Sequence, residues 1–409
     1  MTSVKGGNMN TYKIDNEIIN SIELKCLAVS RGIKVSNSIY RKFSNEYRVD
    51  VSPLACNCFM LSDGTVIQLT DMSFHLKYLG GMLSWDNIKL LKYASELGTF
   101  FSLELIDDKP AIMYKGNFLD FITFPVKTDF YRKKTPLGTS FIGNAVLQGT
   151  DWVSFQCLWP CEYAACGKPC EFCFSGADFE KRAQSSKPMP NPLKAEDVAY
   201  IVNYAFKHVG CNSIQITGGS TFSGTSEYKS ICSYLLAISE TTDIDKSAGS
   251  LLLYITPPAD TKMVDEYFSL GADRIPCSLE VWDEKLAEYI TPGKIEYTTR
   301  ERHLKILKYI AGKYGSSNAF SNFIIGLESF ETLREGAKYL AQNGILPTAS
   351  VWMPMGKPVR GSMKAPDTDY YRRVIDLYAE LYTKYNLVPA KSKGLNVCIE
   401  QDIWNNLCT

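Results

Sequence analysis

Five of the thirteen cysteines in this 409-residue chain fall between Cys157 and Cys173, and Cys166, Cys170 and Cys173 are spaced C-x3-C-x2-C. Crowding at such short spacing favours metal binding over disulfides in a reducing compartment. Three thiolates on one short loop can hold three irons of a 4Fe-4S cluster and leave the fourth iron open to an exogenous ligand, unlike the fully ligated clusters of electron-transfer proteins. Open coordination is what chemistry at a metal requires. Two other readings use the same residues. A register built from Cys161, Cys170 and Cys173 would also supply three thiolates, and a tetrahedral zinc site would recruit Cys157 or Cys161 as a fourth ligand. Zinc sites more often pair two C-x2-C knuckles, so the spacing favours the cluster.

The elements that must position these cysteines begin at Asp151, where short β-type runs start to alternate with helical segments. The expected strands are Trp152 to Gln156 and residues 212–217, 250–256, 273–280, 318–325 and 346–352. Between and after them lie helical patterns over Ala195 to His208, Tyr228 to Glu240, Arg300 to Tyr314, Glu331 to Asn343 and Asp369 to Tyr385. A recurring βα unit implies a parallel sheet, and parallel sheets place their sites at the C-terminal strand ends. The cysteine loop follows the first strand and therefore sits at that end. Residues 1–148 read differently, as a separate α+β region. It has hairpin-like runs from Cys58 to Leu69 about a turn at Ser62-Asp63-Gly64, further strand runs from Phe100 to Ile106 and Phe118 to Val126, and a helix near Trp85 to Leu97. The expected division is 1–148, a core over 149–390 and a tail over 391–409.

With Phe172 just before its last cysteine, the motif resembles the hallmark of the radical S-adenosylmethionine enzymes, with a biotin synthase-like core. The resemblance implies a partial (β/α)6 TIM-type barrel. It also implies that the open iron chelates the amino and carboxylate groups of S-adenosylmethionine, and that one electron from the cluster yields a 5′-deoxyadenosyl radical that abstracts hydrogen from substrate. An electron donor such as flavodoxin or ferredoxin follows from the same likeness. Further segments continue it in order. Thr217-Gly218-Gly219-Ser220 is similar to the glycine-rich motif that meets the methionyl amino group, although the common form ends in Glu where this chain has Ser220. Glycine lets backbone approach a ligand. Ser278-Leu279-Glu280-Val281 is similar to the segment whose polar side chain meets ribose hydroxyls, which gives Glu280 that role. Pro292-Gly293-Lys294 and Tyr297 continue the likeness, and Arg302 is matched to the methionyl carboxylate, which a guanidinium can bind bidentately. Phe323-Ile324-Ile325-Gly326-Leu327-Glu328 looks like the segment whose backbone edge packs on adenine, through Ile325 and Gly326.

Composition narrows the partners. Lys plus Arg and Asp plus Glu are both 44, so broad attraction to nucleic acid or an anionic membrane is not indicated. No apolar run approaches the length of a membrane span and no signal-peptide pattern opens the chain, so a cytoplasmic protein is expected. His75, His208 and His303 are dispersed and form no triad or metal spacing. Thr256, Trp352, Lys357 and Arg360 lie where a substrate would sit, but packing or lid roles suit them as well. A compact core without a cysteine-rich extension suits a small-molecule, cofactor or metallocentre precursor as substrate. The competing readings are a zinc-stabilised binding or scaffold protein, and a radical enzyme whose substrate is a peptide or protein recognised by residues 1–148.

Overall fold

The computed structural model describes residues 9–49, 57–70, 100–158, 161–173, 193–353, 365–392 and 394–408. The helix expected near Trp85 to Leu97, His75, Lys357 and Arg360 lie outside these residues.

Six strands run parallel in chain order: β10 (Trp152–Leu158), β11 (Ser213–Gly218), β12 (Leu251–Leu253), β13 (Ile275–Pro276), β14 (Ala319–Ile325) and β15 (Leu346–Val351). A Leu252–Arg274 bridge joins β12 to β13, and β9 (Ala145–Gln148) pairs antiparallel along the outer edge of β10. With β9 on that edge, the described strands form an open mixed α/β array and no closed barrel. β14 and β15 are buried along nearly their whole length, as expected for strands covered on both faces. Amphipathic helices supply the outer cover. In Phe330–Gln342, for example, Phe330, Leu333, Ala337, Leu340 and Ala341 turn inward at helical spacing, and the Ser329 hydroxyl accepts the Thr332 N–H as N-cap.

The strand expected over 273–280 is shortened to two residues. Leu279 N–H donates to the Ser321 side chain instead of a strand carbonyl, and Glu280 takes a left-handed φ of 73°, which breaks the extended run before a single bridge to Phe323. Among the other units, Arg300–Tyr314 matches its expected bounds, whereas the helix expected to reach His208 relaxes into a wider turn over Ala205–Val209.

N-terminal to this array, β4 (Cys58–Met60) and β5 (Val66–Gln68) form a hairpin about Ser62-Asp63-Gly64. A second sheet has the order β3-β6-β7-β8, from Ile33–Val35, Phe101–Ile106, Lys109–Tyr114 and Asn117–Phe121. A further helix, Ser21–Arg31, has no counterpart among the sequence expectations. It is buried on nearly every side, so it carries no clear polar face to betray its period. An Asn20–Glu23 capping box starts it, and Lys25 Nζ, wholly buried, pairs with Asp402 at 2.7 Å and donates to the Leu395 carbonyl at 2.6 Å. One continuous apolar core runs from Tyr12 to Ile403.

Candidate functional site

A cavity of about 160 Å³ opens at the C-terminal ends of β10 to β13. Its wall brings together Cys161, Cys170, Phe172 and Cys173 from the loop after β10, Thr217 to Ser220 from the end of β11, Tyr254 to Thr256 after β12, and Ser278, Glu280 and Lys294. Of the residues expected at the site, Cys170, Cys173, Phe172, Gly218, Gly219, Ser220 and Glu280 therefore converge, and Thr256 joins them. Cys166, Arg302, Ile325 and Gly326 are not on this wall.

The cysteine loop is held by specific contacts. Beyond Cys161 the chain makes one helical turn, Glu162–Ala165, locked to the β11 loop from both directions: Glu162 N–H donates to the Ser220 carbonyl at 2.9 Å and Phe222 N–H to the Glu162 carboxylate at 2.5 Å. Ser220 N–H donates to Cys161 Sγ at 3.3 Å. Gly219 lies so close that a Cβ there would overlap the Cys161 backbone, which is why the second glycine of Thr217-Gly218-Gly219-Ser220 is required. Tyr163 is buried over Gly293, stacks on Tyr297 at 5.6 Å, and donates its hydroxyl to Thr298 at 3.1 Å. Cys166 is exposed on the far side of this turn; its thiol donates to the Tyr163 carbonyl at 3.3 Å and lies 3.7 Å from the Tyr297 hydroxyl. The chain then returns, with Glu171 N–H donating to the Ile290 carbonyl and Cys173 N–H to the Cys170 carbonyl, both at 2.9 Å.

On the opposite wall, Glu280 and Lys294 form an ion pair at 2.7 Å whose side chains are 13% and 14% exposed. Lys294 also donates to the Ser278 carbonyl at 2.6 Å, and Asn322 Nδ2 reaches the other Glu280 oxygen at 3.4 Å. Burial works against the Lys294 charge, but the neighbouring Glu280 carboxylate and Cys170 more than offset it and hold the ammonium above its usual range. Burial pushes the Cys170 thiol well up, with Lys294 opposing. Lys294 thus links the carboxylate matched to ribose with the cysteine loop. The sequence offered it only as part of Pro292-Gly293-Lys294; nothing local marks its ammonium as inward-facing.

Arg302 lies beside this wall, where its guanidinium donates to the carbonyls of Ser223 and Pro257 and packs under Gly224. That arrangement ties the loops after β11 and β12 together. Ile325 is buried at the end of β14, where its carbonyl accepts the Trp352 N–H at 3.1 Å, and Gly326, at φ 109°, donates its N–H to the Tyr370 hydroxyl at 3.1 Å. Glu328 accepts the Trp282 and Asp283 N–H groups at 2.9–3.1 Å; burial nonetheless raises its carboxyl to about 7. Trp352 is buried, with no hydrogen-bond partner for its indole N–H among the described residues.

Among the described residues no group of three His, Cys, Asp or Glu side chains is drawn together as a ready-made metal site. A zinc ion needs sulfurs about 2.3 Å from one centre, whereas an iron-sulfur cluster is a larger body whose cysteines stand further apart. Soft sulfur donors from Cys170 and Cys173, with Cys161 and a glycine-rich backbone on the same wall, make a donor set that fits such a cluster with a ligand beside it.

No family model matches the chain. A stretch of 130 residues, covering 32% of this chain and 32% of the relative, is 26% identical to bacteriochlorophyllide c C-7(1)-hydroxylase of Chlorobaculum limnaeum. The match thus spans about a third of that relative's length. Among solved structures, SuiB of Streptococcus suis is 15% identical with a TM-score of 0.41 over 82% of this chain and 70% of its own. A radical SAM methyltransferase of Sphaerobacter thermophilus is 12% identical with a TM-score of 0.39 over 78% and 91%. Coproporphyrinogen III oxidase of Escherichia coli, a radical SAM enzyme, is 12% identical with a TM-score of 0.36 over 54% and 50%. Two of these three solved structures are described as radical SAM enzymes. At these scores the likeness assigns neither activity nor substrate, and the functional reading rests on the residues of the cavity. None of the described helices is long and apolar enough to cross a membrane.

Proposed function

We propose that this chain is a radical S-adenosylmethionine enzyme that acts on a small-molecule, cofactor or metallocentre precursor in the cytoplasm, with a flavodoxin or ferredoxin as electron donor. The observation that carries the reading is the convergence of cavity-facing cysteines with the Thr217-Gly218-Gly219-Ser220 turn and Glu280 at the C-terminal ends of parallel strands. When bound, a 4Fe-4S cluster and S-adenosylmethionine would supply one-electron cleavage of the sulfonium and a 5′-deoxyadenosyl radical as hydrogen abstractor.

The chain's own residues supply binding and orientation. Cys170 and Cys173 would hold the cluster, with Cys166, or in the other register Cys161, as the third ligand. Gly218 and Gly219 let the β11 backbone approach the methionyl group, with Ser220 as a neutral polar contact. Glu280 accepts ribose hydroxyls, its orientation fixed by Lys294 and Asn322. Phe172, on the cavity wall, packs against the Val281, Leu286, Ala287 and Ile290 cluster and so fixes the cysteine loop beside it. Ile325 and Gly326, off the cavity wall with their carbonyl and N–H engaged by Trp352 and Tyr370, would offer adenine only the apolar side of the β14 end. Arg302, already donating to two carbonyls, acts as a positioning residue for the loops that frame the cavity. In this reading residues 149–390 form the catalytic core, folded as a partial (β/α)6 barrel, with 1–148 appended before it and 391–409 as a tail.

Anaerobic reconstitution of wild type and Cys170→Ala, with iron counted and 5′-deoxyadenosine assayed after adding reductant and S-adenosylmethionine, tests the proposal. About four irons per chain and deoxyadenosine from wild type alone are expected. Zinc uptake without deoxyadenosine would reject the reading in favour of a zinc-stabilised binding protein.

A further inference from the structure

Resting on the enzyme reading above, we infer that the end of β12 recognises the substrate: the Tyr254 and Thr256 hydroxyls donate as a pair to a neutral acceptor, a carbonyl, amide or ether oxygen, of a small molecule lodged deeper in the array than the residues matched to S-adenosylmethionine. Residues 254 and 256 follow Leu251–Leu253 at the two-residue spacing that puts side chains on one face, and both line the cavity. Register fixes their depth. Tyr254 N–H donates to the Ile216 carbonyl at 2.8 Å, two residues short of Gly218 on β11. Its ring meets Phe320 edge-on, with centroids 5.4 Å apart, and Phe320 pairs with Pro276, which also lines the cavity. Glu280 lies level with Phe323, about 10 Å higher along β14 at the usual rise per residue. The cavity therefore continues below the layer formed by Gly218, Gly219 and Glu280, and Tyr254 stands on its floor.

The chemistry of this floor selects the ligand. Among the described residues the Tyr254 hydroxyl has no hydrogen-bond partner, and burial, with Cys398, Glu400 and Glu280 nearby, pushes the phenol well above its ordinary range, so it remains a donor. Thr256 Oγ1 accepts the Thr221 N–H at 3.0 Å, while its own hydrogen has no acceptor among the described residues. That contact holds the Thr256 side chain in place, because Thr221 is itself anchored, donating its hydroxyl to buried Glu227 at 2.5 Å. Two donors thus face one space. The described cation on this wall, Lys294, is committed to Glu280 and the Ser278 carbonyl. An anion would exchange its hydration for two neutral hydrogen bonds, an ammonium would bring donors to donors, and a neutral oxygen loses least on entering.

The test uses full-length protein reconstituted anaerobically with iron and sulfide and saturated with S-adenosylmethionine, comparing wild type, Tyr254→Phe, Thr256→Val and Thr256→Ser. The probes are N-methylacetamide, acetate and methylammonium, read by saturation-transfer NMR. Wild type is expected to saturate N-methylacetamide at least threefold more strongly than either ion. Tyr254→Phe and Thr256→Val should each cut that signal threefold or more, and Thr256→Ser should restore it. Iron content and the S-adenosylmethionine affinity from equilibrium dialysis should stay within twofold of wild type. Metal-free Tyr254→Phe should melt at or above the wild-type temperature, because the lost hydroxyl makes no internal bond. An unchanged N-methylacetamide signal in Tyr254→Phe, a preference for acetate, or a lowered melting temperature would overturn the inference alone. So would a tenfold loss of S-adenosylmethionine affinity, which would assign this edge to the cosubstrate. Failure of wild type to take up iron or bind S-adenosylmethionine would overturn the enzyme reading and the inference with it.

Discussion

Replacing Lys294 by methionine removes the ammonium that neutralises Glu280 across 2.7 Å and satisfies the Ser278 carbonyl. Removing one partner of a buried ion pair leaves an uncompensated charge and typically costs about 3–5 kcal/mol. Both side chains here keep a little solvent contact, at 13% and 14%, so the low end applies. We expect Lys294→Met to lower the unfolding free energy by about 3 kcal/mol. In a chain of this size that corresponds to a fall in Tm of roughly 6 °C, at about 2 °C per kcal/mol. The left-handed backbone at Glu280 should add to the loss, since a strained φ persists only while its surroundings hold it. Urea unfolding of metal-free protein, followed by circular dichroism, isolates this effect from cluster loading. The decisive variant is the double change Lys294→Met with Glu280→Gln, in which no charge is stranded; it should be less destabilised than the sum of the singles by about 1.5 kcal/mol or more. Additivity within about 0.5 kcal/mol would refute a coupled pair and with it the view that Lys294 orients Glu280.

Gly219→Ala should drive the β11 turn and Cys161 apart, so iron bound after reconstitution should drop below half of wild type while far-ultraviolet circular dichroism is retained. Arg302→Ala should weaken S-adenosylmethionine binding by roughly tenfold through loosened loops at Ser223 and Pro257 yet leave iron content unchanged, as equilibrium dialysis and iron analysis would reveal. The carboxyls of Glu328 and Glu400, each raised by burial from an ordinary 4.5 to about 7, bind protons more tightly folded than unfolded. Their contribution is therefore fully present below about pH 4.5 and is lost as pH rises towards 7, by up to roughly 3 kcal/mol each. Urea midpoints between pH 5 and 7.5 should decline, and Glu328→Gln should flatten part of that slope.

The alternation of β and helical runs after Asp151 was legible because each unit carries its own period, and the order of the six parallel strands follows from it. Strand bounds were less so where tertiary hydrogen bonds intervened, as at Leu279, whose N–H goes to the Ser321 side chain. The fully buried helix Ser21–Arg31 carried no polar face to read. Around the candidate site, sequence spacing identified the cysteine window and the glycine turn, since both are local patterns.

What the sequence by itself determined is the inventory and its order: five crowded cysteines after a first strand, a double glycine after the second and a carboxylate near the fourth. Only the tertiary structure decided which sulfurs turn toward the cavity. Spacing favours Cys166 over Cys161, whereas in the structure Cys161 is buried on the cavity wall and Cys166 is exposed beside the Tyr297 hydroxyl. It likewise decided that Lys294 meets Glu280 and that Arg302 is committed to two carbonyls. Side-chain direction depends on what packs behind each residue, and that is set by elements distant in the chain.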